Sequence, residues 1–140
     1  MAKGKAKRIG PIKYLNLAIQ DVHIRKSYPG FTCRIQKGLA VWRGPLMPRF
    51  VSPVYQMEVH YRLKDIPKVW VISPTLLPNS PHIYGDKSLC LYWPKEWIWH
   101  QDTIISETII PWAADWLYYY ELWLDTGKWL GPSSHDYLER

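Results

Sequence analysis

The amino-acid sequence predicts an α+β fold in which an N-terminal helix, an antiparallel meander of about four strands, a long loop and C-terminal helices follow one another. Three patterns support this: helical spacing of apolar residues towards both ends, period-two alternation between residues 31 and 72, and a proline-rich segment after it. The 140 residues suffice for one domain. We expect a basic flexible tail over 1–10, a single domain over 11–130 and a loose tail over 131–140.

Charge is concentrated at the N-terminus. The chain carries 18 basic and 12 acidic residues, and five of the basic ones precede the first acid, Asp21. The rest is nearly neutral, which argues against nucleic acid as a partner. No apolar run has the length of a signal peptide core or a membrane span, so we expect a cytoplasmic protein without a membrane partner.

Helical spacing predicts a first helix between Pro11 and Lys26. Proline is tolerated in a first helical turn because its missing N–H would have no partner there. Pro29 and Gly30 then indicate a turn.

Period-two alternation predicts the strands of the meander. The clearest run extends from Tyr55 to Leu63, and a short strand over Val69–Ile72 precedes Pro74. Short strands joined by turn residues indicate antiparallel pairing. In the first two strands, the residues expected on one face are Phe31, Cys33 and Ile35, then Leu39, Val41 and Arg43.

Residues 73–95 are predicted to form a long, stiff loop. Four prolines within them are incompatible with a helix or a central strand. The segment also contains leucine, isoleucine and aromatic residues, so we expect it to pack against the body of the domain. A long ordered loop of this kind more often contributes to function than serves only to connect two elements.

A helical pattern returns after Asp102, which we expect to cap the helix. Pro111 predicts a kink or a junction between helices, and Gly127 predicts the C-terminal end. We interpret the aromatic stripe of this helix as core, and we expect some of the nine tryptophans to contact a partner. The stripe consists of Trp112, Trp116, Tyr119 and Trp123.

The two cysteines differ in their sequence context. They lie 57 positions apart, which gives neither a disulfide framework nor a CxxC metal pair, and we expect no metal and no cofactor. Cys33 alternates with apolar strand residues, so we expect it to be buried. Cys90 lies in the proline-rich loop, where we expect it to be accessible. A cysteine thiolate is both a nucleophile and a good leaving group, which acyl transfer requires.

The segment that ends at Cys90 reads NSPHIYGDKSLC. It resembles the active-site stretch of ubiquitin-conjugating enzymes, where a His-Pro-Asn triplet precedes a glycine-containing turn, a serine or similar residue, an aliphatic residue and the catalytic cysteine. Pro81 matches the proline of the triplet, and His82 stands at the asparagine position, eight residues before Cys90. Ser80 stands where the family has histidine.

The resemblance covers about residues 12–126 and implies a fold like that of the ubiquitin-conjugating (UBC) domain. The segment LCLYWP and the aromatic helix after it are most similar to the prokaryotic branch. Members of that branch are encoded with cGAS-like nucleotidyltransferases in short type II CBASS antiphage operons. The resemblance therefore implies a transferase that carries a protein C-terminus, that of the nucleotidyltransferase, as a thioester on Cys90 and passes it to an amine of a target protein.

The predicted catalytic residues are Cys90 and His82. His82 could donate a hydrogen bond to the oxyanion, act as a base, or support the loop. Glu96 and Asp102 follow where the family often keeps an acid, although a surface charge and a helix cap explain them equally well. The alternative function is a non-catalytic UBC-fold module that recognises a protein tail. The predicted substrate-binding residues are Pro81, Ser88, Leu89, Tyr92 and Trp93.

Overall fold

The computed structural model describes residues 15–132. The order of elements confirms the predicted α+β class, with one C-terminal α-helix preceded by a short 3-10 turn at Ile105–Glu107. The predicted tail over 1–10 and most of that over 131–140 lie outside the described residues. The elements are α1 (Leu17–Ser27), β1 (Thr32–Gln36), β2 (Leu39–Leu46), β3 (Tyr55–Arg62), β4 (Lys68–Ser73) and α2 (Ile109–Thr126).

The four strands form one antiparallel sheet in chain order. In β3 the buried and exposed residues alternate as predicted. In β2 the expected face was wrong, because the sheet buries the face that carries Trp42 and leaves Arg43 exposed. The Trp42 indole N–H also donates to Asp21 of α1 over 3.0 Å, which joins the helix to the sheet.

Helix α1 begins at Leu17, later than predicted, because the Asn16 side chain caps it by accepting a hydrogen bond from the Ile19 N–H over 2.8 Å. Its buried face includes Gln20, whose amide donates to the Thr103 carbonyl and accepts from the Ile105 N–H. A buried amide with both ends paired costs little, and here it fixes the segment that precedes α2.

Helix α2 begins at Ile109, so the predicted cap at Asp102 was wrong: the 3-10 turn intervenes, and Thr108 occupies the cap position. Pro111 therefore lies in the first turn, where its missing N–H breaks no intrahelical bond, and the helix continues to Thr126. Gly127 ends it in a left-handed conformation with φ 76°, as predicted.

The core lies between the sheet and α2. Of the predicted aromatic stripe, Trp116 is buried, and Trp112 and Trp123 are partly buried and pack against the core. The interpretation as core is confirmed for these three and was wrong for Tyr119, which is not part of the core cluster. The buried residues of α2 are Ile109, Ile110, Ala113, Trp116, Leu117, Tyr120 and Glu121.

A buried carboxylate fixes α2 against the sheet. Glu121 accepts hydrogen bonds from the Tyr55 hydroxyl over 2.8 Å and from the Arg49 guanidinium over 2.9 Å. Burial, and then the bond to Glu121, raise the pKa of Tyr55, so this hydroxyl keeps its proton. The position of α2 relative to β3 is therefore specified by polar contacts as well as by apolar packing.

Candidate active site

Cys90 lies at the end of a small hairpin within the long loop. Ile83 and Leu89 pair as an antiparallel bridge, and the Cys90 N–H donates to the His82 carbonyl over 3.0 Å. The Leu89 N–H donates to the Val69 carbonyl over 2.9 Å, which attaches the hairpin to the edge strand β4. The position of the Cys90 sulfur is thus set by the sheet, although the cysteine itself belongs to a loop.

Asp86 holds the turn of this hairpin. Its carboxylate accepts from the Ser88 N–H and hydroxyl over 2.9 and 2.6 Å, and from the Lys68 ammonium over 2.6 Å. The hydrogen bond from Lys68, followed by those from Ser88, keeps the pKa of Asp86 well below its usual range. The Asp86 carbonyl also accepts from the Trp70 indole over 2.9 Å, so two β4 side chains restrain the turn.

The backbone of His82 is left-handed, with φ 56°. Such a conformation costs a non-glycine residue about 1–3 kcal/mol, but histidine and asparagine adopt it more readily than most. The His82 carbonyl accepts both the Cys90 N–H and the Trp116 indole N–H, the latter over 3.1 Å, which compensates for the strain. Its ring packs at 4.9 Å, centroid to centroid, from that of Trp129.

Two tyrosines surround the Cys90 thiol, which is half-buried. Burial, and then a hydrogen bond to Cys90, raise the pKa of Tyr84 above its usual value. Burial also raises the pKa of Tyr92, and the charge of the Cys90 thiolate adds to that effect. The Tyr84 hydroxyl therefore keeps its proton at neutral pH and can donate it in a hydrogen bond to negatively charged sulfur.

A groove of about 490 Å³ opens beside the sulfur. One wall is a stripe of α2 with the spacing i, i+3, i+4, i+7, formed by Trp112, Asp115, Trp116 and Tyr119. The opposite wall comes from the segment that follows Cys90. The described residues that line the groove are His82, Cys90, Leu91, Tyr92, Trp93, Glu96, Trp97, Trp112, Asp115, Trp116, Tyr119, Trp129 and Pro132.

The groove brings together four of the predicted site residues. They are Cys90, His82, Tyr92 and Trp93. Ser88 and Leu89, predicted to bind substrate, are only 1% and 4% exposed, so their side chains support the hairpin from inside. Pro81 does not line the groove either.

Sequence reasoning missed three parts of this site: Tyr84, Asp86 and the α2 wall. The α2 wall could have been predicted, because the spacing of Trp112, Asp115 and Tyr119 places them on one face of a helix. No comparable signal identified Tyr84 or Asp86, because their contacts depend on how the hairpin closes. Of the two acids that follow Cys90 in the sequence, Glu96 lines the groove and Asp102 does not.

Cys33 packs against the core but is only half-buried, so the prediction of full burial was wrong. Burial, and then the charge and hydrogen bond of Asp21, raise the pKa of Cys33 to about 11. This thiol is therefore protonated and a poor nucleophile at neutral pH. Within residues 15–132, no three His, Cys, Asp or Glu side chains are placed to hold a metal ion, and no helix is long and apolar enough to cross a membrane.

The N-terminal helix, the four-stranded meander, the cysteine-bearing loop and the C-terminal helix together define a UBC-like α+β domain. A family model of type II CBASS E2 proteins matches residues 20–136. The chain belongs to this family, as the resemblance around Cys90 implied. No curated protein sequence matches the chain significantly.

Proposed function

We propose that this protein carries the C-terminus of another protein as a thioester on Cys90 and transfers it to an amine in antiviral defence. Membership of the type II CBASS E2 family supports a conjugating activity and a protein partner within the CBASS system. The donor implied by the family resemblance is the C-terminus of a cGAS-like nucleotidyltransferase. The observation that carries the proposal is a half-buried thiol on a restrained hairpin that opens to a groove.

In the first step the Cys90 thiolate attacks the C-terminal carbonyl carbon of a donor that is already activated as an acyl adenylate or a thioester. The thiol has lost its proton to solvent before the attack; the C–S bond then forms, and the activating group leaves with its electron pair. The hydrogen bonds from β4 and Trp116 fix the hairpin beforehand, so little conformational freedom is lost at this step.

In the second step a neutral amine attacks the thioester carbonyl. The C–N bond forms, the C–S bond breaks, and the amine proton passes to water while the sulfur leaves as a thiolate. The Tyr84 hydroxyl stabilises that leaving sulfur by donating a hydrogen bond to it. A hydrogen-bond donor promotes departure of the thiolate without acting as a base that would activate water against the thioester.

The experiment that tests the proposal is intact mass spectrometry of the protein co-expressed with its operon partners, with and without a thiol reductant. We expect wild type and Cys33→Ala to carry an adduct of the donor's mass that the reductant removes. Cys90→Ala should carry none. Cys33→Ala is the matched control, because it removes the other cysteine of the chain, which is half-buried like Cys90.

A reductant-sensitive adduct on Cys90→Ala would refute the assignment of the nucleophile. A stable complex with the donor but no adduct on wild type would favour the alternative, a non-catalytic module that recognises a tail. The observation that supports this alternative is that Ser80 and His82 differ from the histidine and asparagine of the His-Pro-Asn triplet.

A further inference from the structure

The groove beside Cys90 is acidic as well as aromatic. Glu96 lies on the segment that follows Cys90, Asp115 lies on α2, and both exposed acidic residues are among those that line the groove. No lysine or arginine is among its described lining residues, and within residues 15–132 neither carboxylate forms a salt bridge. The positive charge of the protein is concentrated at its N-terminus and the rest of the chain is nearly neutral, so the two acids give this groove a local negative character.

The aromatic residues of the groove form two groups of touching rings. Trp97 packs edge-on against Tyr92 and Trp112, with ring centroids 4.8 and 4.9 Å apart. Trp129 packs at 5.5 Å from Trp116 and is also in contact with His82 and Tyr119. Such walls accept the methylene stem of a long side chain, and their ring faces attract a cation.

One wall residue already holds an ammonium group on one of its faces. The Nζ atom of Lys95 lies 5.7 Å from the ring centroid of Trp93, although Lys95 itself does not line the groove. The aromatic rings and the two carboxylates therefore favour the same kind of ligand, a lysine or arginine side chain.

We propose that this groove binds the segment of the donor tail that precedes its C-terminal residue, and that it selects tails with a lysine or arginine there. The aromatic walls pack the stem of the basic side chain, and Glu96 and Asp115 pair with its charged head. The inference rests on the proposed function, since Cys90 at the groove must receive the end of that tail.

A donor tail fits the groove better than a single acceptor amine does. The volume of about 490 Å³ is within the range of pockets that enclose whole small molecules, and it exceeds what one lysine side chain fills. An extended tail directs alternate side chains to the same face, so it can place several of them along the groove while its terminus reaches the sulfur.

The test is peptide binding to Cys90→Ala, which cannot react, measured by fluorescence anisotropy at low ionic strength. The probes are fluorescein-labelled GSAKLKLAG, GSAQLQLAG and GSAELELAG. We expect the lysine peptide to bind about tenfold more tightly than the glutamate peptide, with the glutamine peptide between them. The chain after its basic N-terminus is nearly neutral and the N-terminus itself attracts the glutamate peptide, so a lysine preference must arise locally.

Two double variants in the Cys90→Ala background test whether the lysine preference arises from the acidic residues of the groove. Glu96→Gln with Asp115→Asn should bring the lysine and glutamate peptides within about threefold of each other. Asp102→Asn with Glu107→Gln removes the same charge from exposed positions outside the groove and should leave the preference intact.

Equal binding of the lysine and glutamate peptides overturns the inference, as does an equal loss of preference in both double variants. Displacement of the lysine peptide by Nα-acetyl-lysine amide at a similar affinity overturns it in favour of an acceptor-amine site. A Cys90 adduct without any lysine preference overturns this inference alone. A lysine preference without any adduct supports it and overturns only the thioester proposal.

Discussion

Cys33 and Cys90 are both half-buried, but their neighbours differ. Cys33 lies on the edge strand β1 beside the carboxylate of Asp21, and burial together with that charge raises its pKa to about 11. Cys90 closes a hairpin at the opposite edge of the sheet, where no carboxylate is hydrogen-bonded to it among the described residues and where it lines a groove.

The comparison shows that two thiols of similar exposure have different surroundings in this fold, so exposure alone does not predict which of them is the nucleophile. A carboxylate beside a sulfur disfavours the thiolate, and that is the situation of Cys33. The two edges of one sheet thus provide opposite surroundings for the same functional group. Four predictions test this difference, from the largest expected effect to the smallest.

Cys90→Ser should trap the donor as an oxyester that survives thiol reductant, because an alkoxide leaves far less readily than a thiolate. Intact mass spectrometry before and after reductant measures it. Cys33→Ser should behave as wild type. The same reductant-sensitive species on Cys90→Ser and on wild type would place the acyl group on another residue.

His82→Ala should slow single-turnover transfer by about 100-fold if the His82 side chain donates to the oxyanion. His82→Asn should then restore much of the rate, since its amide can donate and it tolerates the left-handed backbone. His82→Gly removes the strain without supplying a donor, and should leave the rate low.

Melting curves and pH profiles of the same variants separate the other roles of His82. If the residue only supports the loop, His82→Gly should restore both the rate and the stability that His82→Ala loses. If it is a base, the wild-type rate should fall below about pH 6.5 as the imidazole protonates, and His82→Asn should not rescue. A normal rate in His82→Ala would remove this side chain from the site.

Tyr84→Phe should slow transfer by about tenfold, which corresponds to one hydrogen bond to a charged sulfur. The raised pKa of Tyr84 keeps the hydroxyl protonated, so the ratio of wild-type to variant rates should stay constant between pH 6 and 9. Tyr118→Phe, on an exposed tyrosine outside the groove, is the matched control. An unchanged Tyr84→Phe rate would contradict this role.

Asp21→Asn should increase maleimide labelling of Cys33 at pH 8 by about threefold, because it removes one of the charges that hold the thiol neutral. In the wild type, labelling of Cys33 should be slower than that of Cys90 and should rise with pH towards 11. Peptide mapping of the labelled protein distinguishes the two sites. Faster labelling of Cys33 than of Cys90 in wild type would contradict the comparison.

Local patterns predicted the parts of the molecule that depend on neighbours in sequence. Strand β3 could be predicted from its alternation, because one face of the strand is buried and the other is exposed. The end of α2 at Gly127 could be predicted because a helix end favours a residue that adopts a left-handed backbone. The proximity of Cys90 and His82 could be predicted because their spacing matches a known motif, and both line the groove.

Other parts depend on contacts between distant segments, which no local pattern encodes. Asp86 holds the hairpin through Lys68 and Trp70 of β4, almost twenty residues away. The start of α2 was missed because Asp102 and Thr108 are equally plausible caps until the Gln20 amide fixes the intervening segment. The groove beside the α2 stripe was missed because an aromatic residue is apolar whether it faces a core or a groove.

The left-handed backbone at position 82 also restricts which amino acids can replace histidine there. Glycine, asparagine, aspartate and histidine adopt φ 56° at the lowest cost, so a saturation library at this codon should be enriched in these four among folded proteins. The histidine of this chain and the asparagine of the ubiquitin-conjugating enzymes both belong to that set. Backbone geometry thus limits the candidates first, and chemistry selects among the few that remain.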